Sequence, residues 1–422
     1  MLSRHILRQC GTDLLWRGHT SALTEMVATG GAAQIGVTRL AVDQNISSRI
    51  NLMRILLISG IVFVHVPYDP LTSPFNGTNG IFDWLRVFLG DSFFRIGVPC
   101  LSAISGYLLF QKGWLAFDFG KVLKSKLKSI LTPFLLWNLG LFVLVVLVQR
   151  VGIGVGYFPD LWQASLHELF GQALAVDAFP VNLPLYFLRD LFVCIILSPV
   201  LAFLVQRIPV LICGLLFVLA ILPDVTIGIV LKKSILFSFT FGIFLALHRI
   251  DTKMMDRNAV IGVIVTIVAA LVLSIGLYQT GPDFPFWLDL ARNILAIVGA
   301  LGFWLLSALL IRTRTGQRLA ETGTLSFWIF CAHYPLLVAL WMVWNRLVGG
   351  TGFYPYFYVG AIVTTFSVLV VSNRIVAIRA PFFHQVLTGS RGRKKSAHLG
   401  PGNRTPQAAA TPQGVAISQQ QR

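Results

Sequence analysis

Ten apolar runs limit what this chain can become. Each is long enough to cross, or nearly cross, the roughly 30 Å of hydrocarbon in a bilayer, and a backbone there must satisfy its own hydrogen bonds, as a helix does within one segment. The first run occupies residues 49–68; the others lie near 93–111, 130–149, 186–205, 209–223, 234–248, 259–278, 292–311, 326–345 and 355–377. The fifth, short and bounded by Pro209 and Pro223, reads as a tilted or re-entrant segment as readily as a span. Only 12% of the 422 residues are charged and 55% are hydrophobic, against about 25% charged in ordinary globular domains. The expected fold class is all-α: a polytopic integral membrane protein of about ten transmembrane helices.

Basic charge is unevenly distributed and orients these helices. Lys112, Lys121, Lys124, Lys126 and Lys128 lie between the second and third runs, Arg249, Lys253 and Arg257 between the sixth and seventh, and Arg312, Arg314 and Arg318 between the eighth and ninth. These are alternate loops, and short cytoplasmic loops collect Lys and Arg. With the N-terminal segment, Arg207 and the C-terminal region, that side holds 25 basic and 7 acidic residues (26 basic with Arg54), against 8 and 10 on the other. The formal charge of +17 thus belongs to membrane topology, and no nucleic-acid surface is implied. Both termini are expected in the cytoplasm, with the protein in the inner (plasma) membrane. Residues 1–48 read as a disordered cytoplasmic extension, 49–380 as the membrane domain, and 381–422 as a low-complexity tail whose Arg391, Arg393, Lys394 and Lys395 suit anionic lipid head groups. The five cysteines show no metal-ligand spacing, so neither a metal site nor a bound cofactor is expected.

Within the first run, Arg54 and His65 are eleven residues apart. At 3.6 residues per turn that is three turns plus about 20°, so one helix face carries both groups, roughly 16 Å apart along the axis. Ionisable groups in hydrocarbon are costly and usually face a bundle interior or a substrate path. On the opposite side, Asp91 and Arg95, Arg189 and Asp190, and Asp289 and Arg292 stand at three helix entrances. Arg presents a planar bidentate fork to oxyanions, so these entrances are candidate sites for a polyhydroxyl or anionic acceptor as well as simple interface anchors.

Arg54, ten residues, then His65 in a first membrane helix resembles the membrane acyltransferase family 3, which O-acylates cell-surface glycans. Further stretches follow in the family's order across residues 49–380. Gly97 to Leu108, ending Ser105-Gly106-Tyr107-Leu108, is similar to a Ser-Gly-Phe-Leu signature. Tyr186-Phe187-Leu188-Arg189-Asp190-Leu191 is similar to a Trp-Phe-Leu-Arg-Asp-Leu stretch, and Ser326 to Pro335, containing His333, resembles a late serine-to-histidine helix. Arg49-Ile-Asn-Leu-Met-Arg54 with His65-Val-Pro most resembles the succinoglycan-type exopolysaccharide succinyltransferases. One departure is that Lys124, Lys126 and Lys128 stand where members often carry arginine.

The resemblance implies transfer of a succinyl or acetyl group from acyl-CoA, as co-substrate, to a glycan or lipid-linked oligosaccharide, with polysaccharide-assembly proteins as further partners. His65 and Arg54 are then the catalytic candidates, a neutral imidazole being suited to take a hydroxyl proton near pH 7. Arg49, Lys124, Lys126 and Lys128 are expected to bind the donor, and Arg95, Tyr186, Arg189 and Asp190 the acceptor. Ser105 and His333 are secondary candidates, His333 reading first as a buried structural histidine. The competing class is a transporter or exporter of a lipid-linked glycan precursor. Against it, no repeat relates the two halves and no matching pair of Gly/Pro-broken helices is present.

The charge division yields a direct expectation for topology. Reporters fused after Arg318 and after Lys395 should both read out in the cytoplasm, and an external signal at either would overturn the orientation or the number of spans.

Overall fold

The computed structural model describes residues 31–349 and 352–389, with residues 31–44 described by backbone alone. The tail from Arg391 and residues 1–30 lie outside this range. Among the described residues every element is helical, and the chain forms a multi-pass membrane bundle. Helix α1 runs Gly31–Val64, beginning upstream of Arg49, and its membrane-length portion is Asn45–Val64.

The second span, Ile81–Phe110, starts earlier than the apolar run at 93 suggested, because the chain turns through Gly77 and Gly80, both at positive φ, straight into a helix. It consists of α2 (Ile81–Val87), a π-helical segment Phe88–Phe93, a 3-10 turn Phe94–Ile96 and α3 (Gly97–Phe110). The third span joins α4 (Phe119–Lys126) through a second π segment, Leu127–Leu131, to α5 (Thr132–Gln149). A capping box between Ser165 and Glu168 opens the amphipathic α6 (Leu166–Leu174), whose Leu166 and Phe170 are exposed.

Then follow α7 (Tyr186–Arg207), α8 (Pro209–Ile221), α9 (Lys233–Leu247), α10 (Ala259–Thr280), α11 (Phe286–Leu310), α12 (Arg314–Glu321), α13 (Leu325–Leu347), α14 (Tyr354–Arg379) and α15 (Pro381–Thr388). Eight spans among the described residues have membrane length. The fifth and sixth apolar runs instead form α8 and α9, of 13 and 15 residues, or roughly 20 and 22 Å at 1.5 Å per residue.

Although short, α9 lies in the core: Ile235, Phe239 and Ile243 are buried. It crosses α3 at backbone contact. A Cβ on Gly106 would fall on the carbonyl oxygen of Phe239, and one on Gly242 on that of Ala103, so each helix offers a glycine where the other's backbone passes. In lipid, where water no longer drives apolar faces together, such close approach supplies the packing energy. A similar contact fixes the entrance to the second span, since the Phe94 ring occupies the space a Gly60 side chain would need.

Gly106→Ala and Gly242→Ala should each destabilise the bundle by about 1–3 kcal/mol, because the obstructing atoms are backbone. Gly140→Ala and Gly214→Ala, where nothing lies within 4 Å of the added methyl, should leave the thermal midpoint of the detergent-solubilised protein unchanged or slightly raised. Equal behaviour of the two pairs would contradict the close crossing.

Candidate active site

His65 follows the last turn of α1, and His333 lies inside α13; 268 residues separate them in sequence. Their rings meet at 66° with centroids 5.3 Å apart, and His65 Nδ1 is 3.5 Å from His333 Nε2. Backbone carbonyls decide the tautomers. His65 Nδ1 lies 2.9 Å from the Ile61 carbonyl, and His333 Nδ1 lies 3.0 and 2.9 Å from those of Ile329 and Phe330. A carbonyl only accepts, so each Nδ1 carries a proton and each Nε2 a lone pair. The His333 lone pair faces the His65 N–H. That leaves His65 Nε2 free to accept a proton, with no protein partner among the described residues.

The backbone around His333 is held in place by a distant amide. Pro335 lacks an N–H, and the side chain of buried Asn182 donates 3.0 Å to the carbonyl of Cys331, inside the turn that carries His333. Asn182 is itself held by Asn138, whose side-chain oxygen accepts from its backbone N–H at 3.0 Å. Tyr334 sets its ring edge-on to His65 at 6.1 Å.

Below the histidines, a cavity of about 580 Å³ opens toward the basic end of the bundle. Arg54, Ser105, Lys126 and Ser129 supply its polar lining, Leu101, Phe187 and Phe330 its apolar wall, and His384, Thr388 and Gly389 its far end. The lining stops at Ile58, Leu101 and Phe330, one helical stretch short of His65, and the Phe330 ring lies 6.2 Å from that of His333. Arg54 has no hydrogen-bond or ion-pair partner among the described residues.

Arg49 has a different environment. Its guanidinium grips Asp256 with two bonds of 2.7 and 3.0 Å, donates to Ser307 and to the Trp304 carbonyl, and stacks over the Trp304 ring at 3.9 Å. It does not line the cavity; it locks α1 to α11 and to the turn before α10. Of the three lysines only Lys126 reaches the cavity, while Lys124 and Lys128 are exposed.

The outer candidates divide in the same way. Arg189 donates to the carbonyls of Ala175, Val176 and Ile229 and pairs with Asp190, which accepts from the backbones of Leu231 and Lys232. Together they clasp two loops and have little capacity left for an acceptor. Arg95 is freer: its side chain is 40% exposed, it pairs only with Asp91 at 3.1 Å, and its charge reaches both His65 and Tyr186.

Comparison with known proteins supplies the family. The family model described as "Acyltransferase domain" matches residues 47–373, from just before Arg49 into the last span. The chain belongs to acyltransferase family 3. It is 55% identical over 356 residues to the succinoglycan biosynthesis protein ExoH of Rhizobium meliloti (strain 1021), covering 84% of this chain and 95% of the relative. No solved structure matches it significantly. The protein is thus an acyltransferase.

Within this acyltransferase, sequence reasoning missed Tyr334, Asn182, Lys232 and the α15 residues that close the cavity. Only Asn182 left a trace: a proline inside a helix implies an orphaned carbonyl and hence a donor somewhere. The two arginines of α1 should separate experimentally. Arg49→Ala leaves Asp256 without its partner and should cost roughly 3–5 kcal/mol, read as a lower thermal midpoint and poorer recovery from membranes. Arg54→Ala should leave both unchanged, since no internal contact is lost. Matching losses would show that Arg54 is structural.

Proposed function

We propose that this acyltransferase moves an acyl group from acyl-CoA to a sugar hydroxyl of an exopolysaccharide or its lipid-linked precursor, at the inner (plasma) membrane and with both termini cytoplasmic. The observation that carries the reading is the free Nε2 of His65, fixed in tautomer by Ile61 and His333, on the helix face that also places an unpaired Arg54 in a cavity. The relative's name, a succinoglycan biosynthesis protein, supports an exopolysaccharide acceptor.

Acyl-CoA is polyanionic at its nucleotide end and thin along its pantetheine arm. Arg54 and Lys126 supply the cationic mouth, and the largely apolar lining suits the arm. The roughly 16 Å of helix between Arg54 and His65 is on the scale of the extended arm. Because the cavity ends at Phe330 and Leu101, the thioester reaches His65 only when that wall yields, which makes Phe330 the gate of this path.

In the transfer, the sugar hydroxyl gives its proton to His65 Nε2 while its oxygen attacks the thioester carbonyl. The new C–O bond forms, the C–S bond breaks, and the proton passes to the departing CoA thiolate. The imidazolium formed in between keeps its Nδ1–H directed at Ile61 and at the lone pair of His333, so His333 acts as a positioning residue that spreads the charge. A neutral imidazole suits this role because its Nε2 lone pair can take the hydroxyl proton and return it to the thiolate while Nδ1–H stays on the Ile61 carbonyl.

His65→Ala should lower transfer by 10²–10⁴-fold at any donor concentration, the usual contribution of a general base. Arg54→Ala should raise the donor KM and recover much of its rate in excess acyl-CoA. Purified enzyme assayed with radiolabelled donor and de-esterified polysaccharide distinguishes the two. A His65→Ala protein that still esterifies near the wild-type rate would rule the mechanism out.

A further inference from the structure

Beyond His65, away from the cavity, the protein gathers more positive charge than its own carboxylates neutralise. Asp91 pairs with Arg95, and Asp289 with Arg292, whose buried Nε has no partner. Lys232 has no carboxylate within bonding distance among the described residues, since Asp190 receives its backbone N–H and is paired to Arg189; its ammonium instead lies 5.4 Å over the Phe179 ring. Phe179 packs edge-on against Tyr186, and Arg95 reaches Lys232, Arg292, Tyr186 and His65 electrostatically. The cations therefore form one group beside the proton acceptor.

We infer that Arg95 and Lys232 receive a carboxylate at the free end of the transferred acyl chain, and so set the choice between a succinyl and an acetyl donor. This rests on the donor direction proposed above. A thioester carbonyl brought to His65 from the Arg54 side points the rest of its acyl chain onward, toward Arg95. In a succinyl group the second carboxylate lies three carbon–carbon bonds beyond that carbonyl, roughly 4 Å farther on. An acetyl group ends in a methyl and has nothing to offer these cations.

Like charges gathered this closely favour a counter-ion. Withdrawal from water, and then the guanidiniums of Arg95 and Arg292, pull the Lys232 ammonium below the ordinary lysine pKa. A carboxylate arriving there relieves that repulsion and takes the fork that Arg95 leaves open beside its single bond to Asp91. Arg189, with its donors already committed to three carbonyls and Asp190, cannot serve this way.

An acidic sugar on the acceptor would present the same chemistry, so the test must separate the two sources. Purified wild type, Arg95→Gln, Arg95→Lys and Lys232→Gln are assayed with succinyl-CoA and acetyl-CoA, on de-esterified polysaccharide with its carboxylates intact or reduced to alcohols. Arg95→Gln should lower kcat/KM for succinyl-CoA about 10- to 100-fold more than it lowers that for acetyl-CoA. Arg95→Lys should retain part of the preference, Lys232→Gln should weaken it, and reducing the acceptor should leave the ratio alone. An unchanged succinyl-to-acetyl ratio in Arg95→Gln overturns the assignment. So does a loss with both donors that appears only on the carboxylate-bearing acceptor, which gives the cations to the glycan. A wild-type enzyme that uses neither thioester overturns the donor reading, and this inference with it.

Discussion

A charged group drawn into a membrane bundle has to find a partner, and most of those described here do. Arg49 is held by a carboxylate, a hydroxyl, a carbonyl and an indole ring. Arg86 pairs with Asp83, bonds the Thr72 carbonyl and lies over Tyr354, tying the loop after α1 to the last span. Lys233 is capped by the carbonyls of Leu222, Pro223 and Val225. Against this background three exceptions among the described residues stand out: Arg54 without a partner in its cavity, His65 with one bare nitrogen, and the cations near His65 that exceed their carboxylates. Desolvation makes each exception costly, which is why an uncommitted charge in such a setting points to a ligand.

Much of the fold was readable from hydropathy and charge, because span length and apolar character are local properties. The two short helices show where that reading ends. Run length alone made α8 and α9 look like further spans, whereas α9 sits in the core through Gly106 and Gly242, a contact that joins positions more than a hundred residues apart. The early start of the second span was hidden too, since Ile81–Phe93 mixes apolar residues with Asp83, Arg86 and Asp91 that are buried or paired only in the folded bundle.

For the site, helical arithmetic carried part of the weight. Arg54 and His65 share a face by spacing, and the same arithmetic puts Arg49 about 140° away from Arg54, toward Asp256. Lys124 and Lys128, four residues apart, share one face of their helix, whereas Lys126 lies about 160° from each, and it is Lys126 that reaches the cavity. His333 was harder to place. A histidine within an apolar helix reads as structural, and its position beside His65 depends on the packing of α13 against α1. Both π segments border the site, one leading into Arg95 and the other carrying Ser129 and Ile130 to the cavity wall, and no sequence pattern announced either.

The central claim is that the donor enters from the basic end, passes Arg54 and stops at His65. Its most direct test is the accessibility of a single cysteine placed in the cavity wall. Ser105→Cys, in a background cleared of the native cysteines, should react with a membrane-impermeant maleimide only from the cytoplasmic face of oriented vesicles, and acyl-CoA should slow that reaction. Labelling from the outer face, or a rate indifferent to acyl-CoA, would contradict the account.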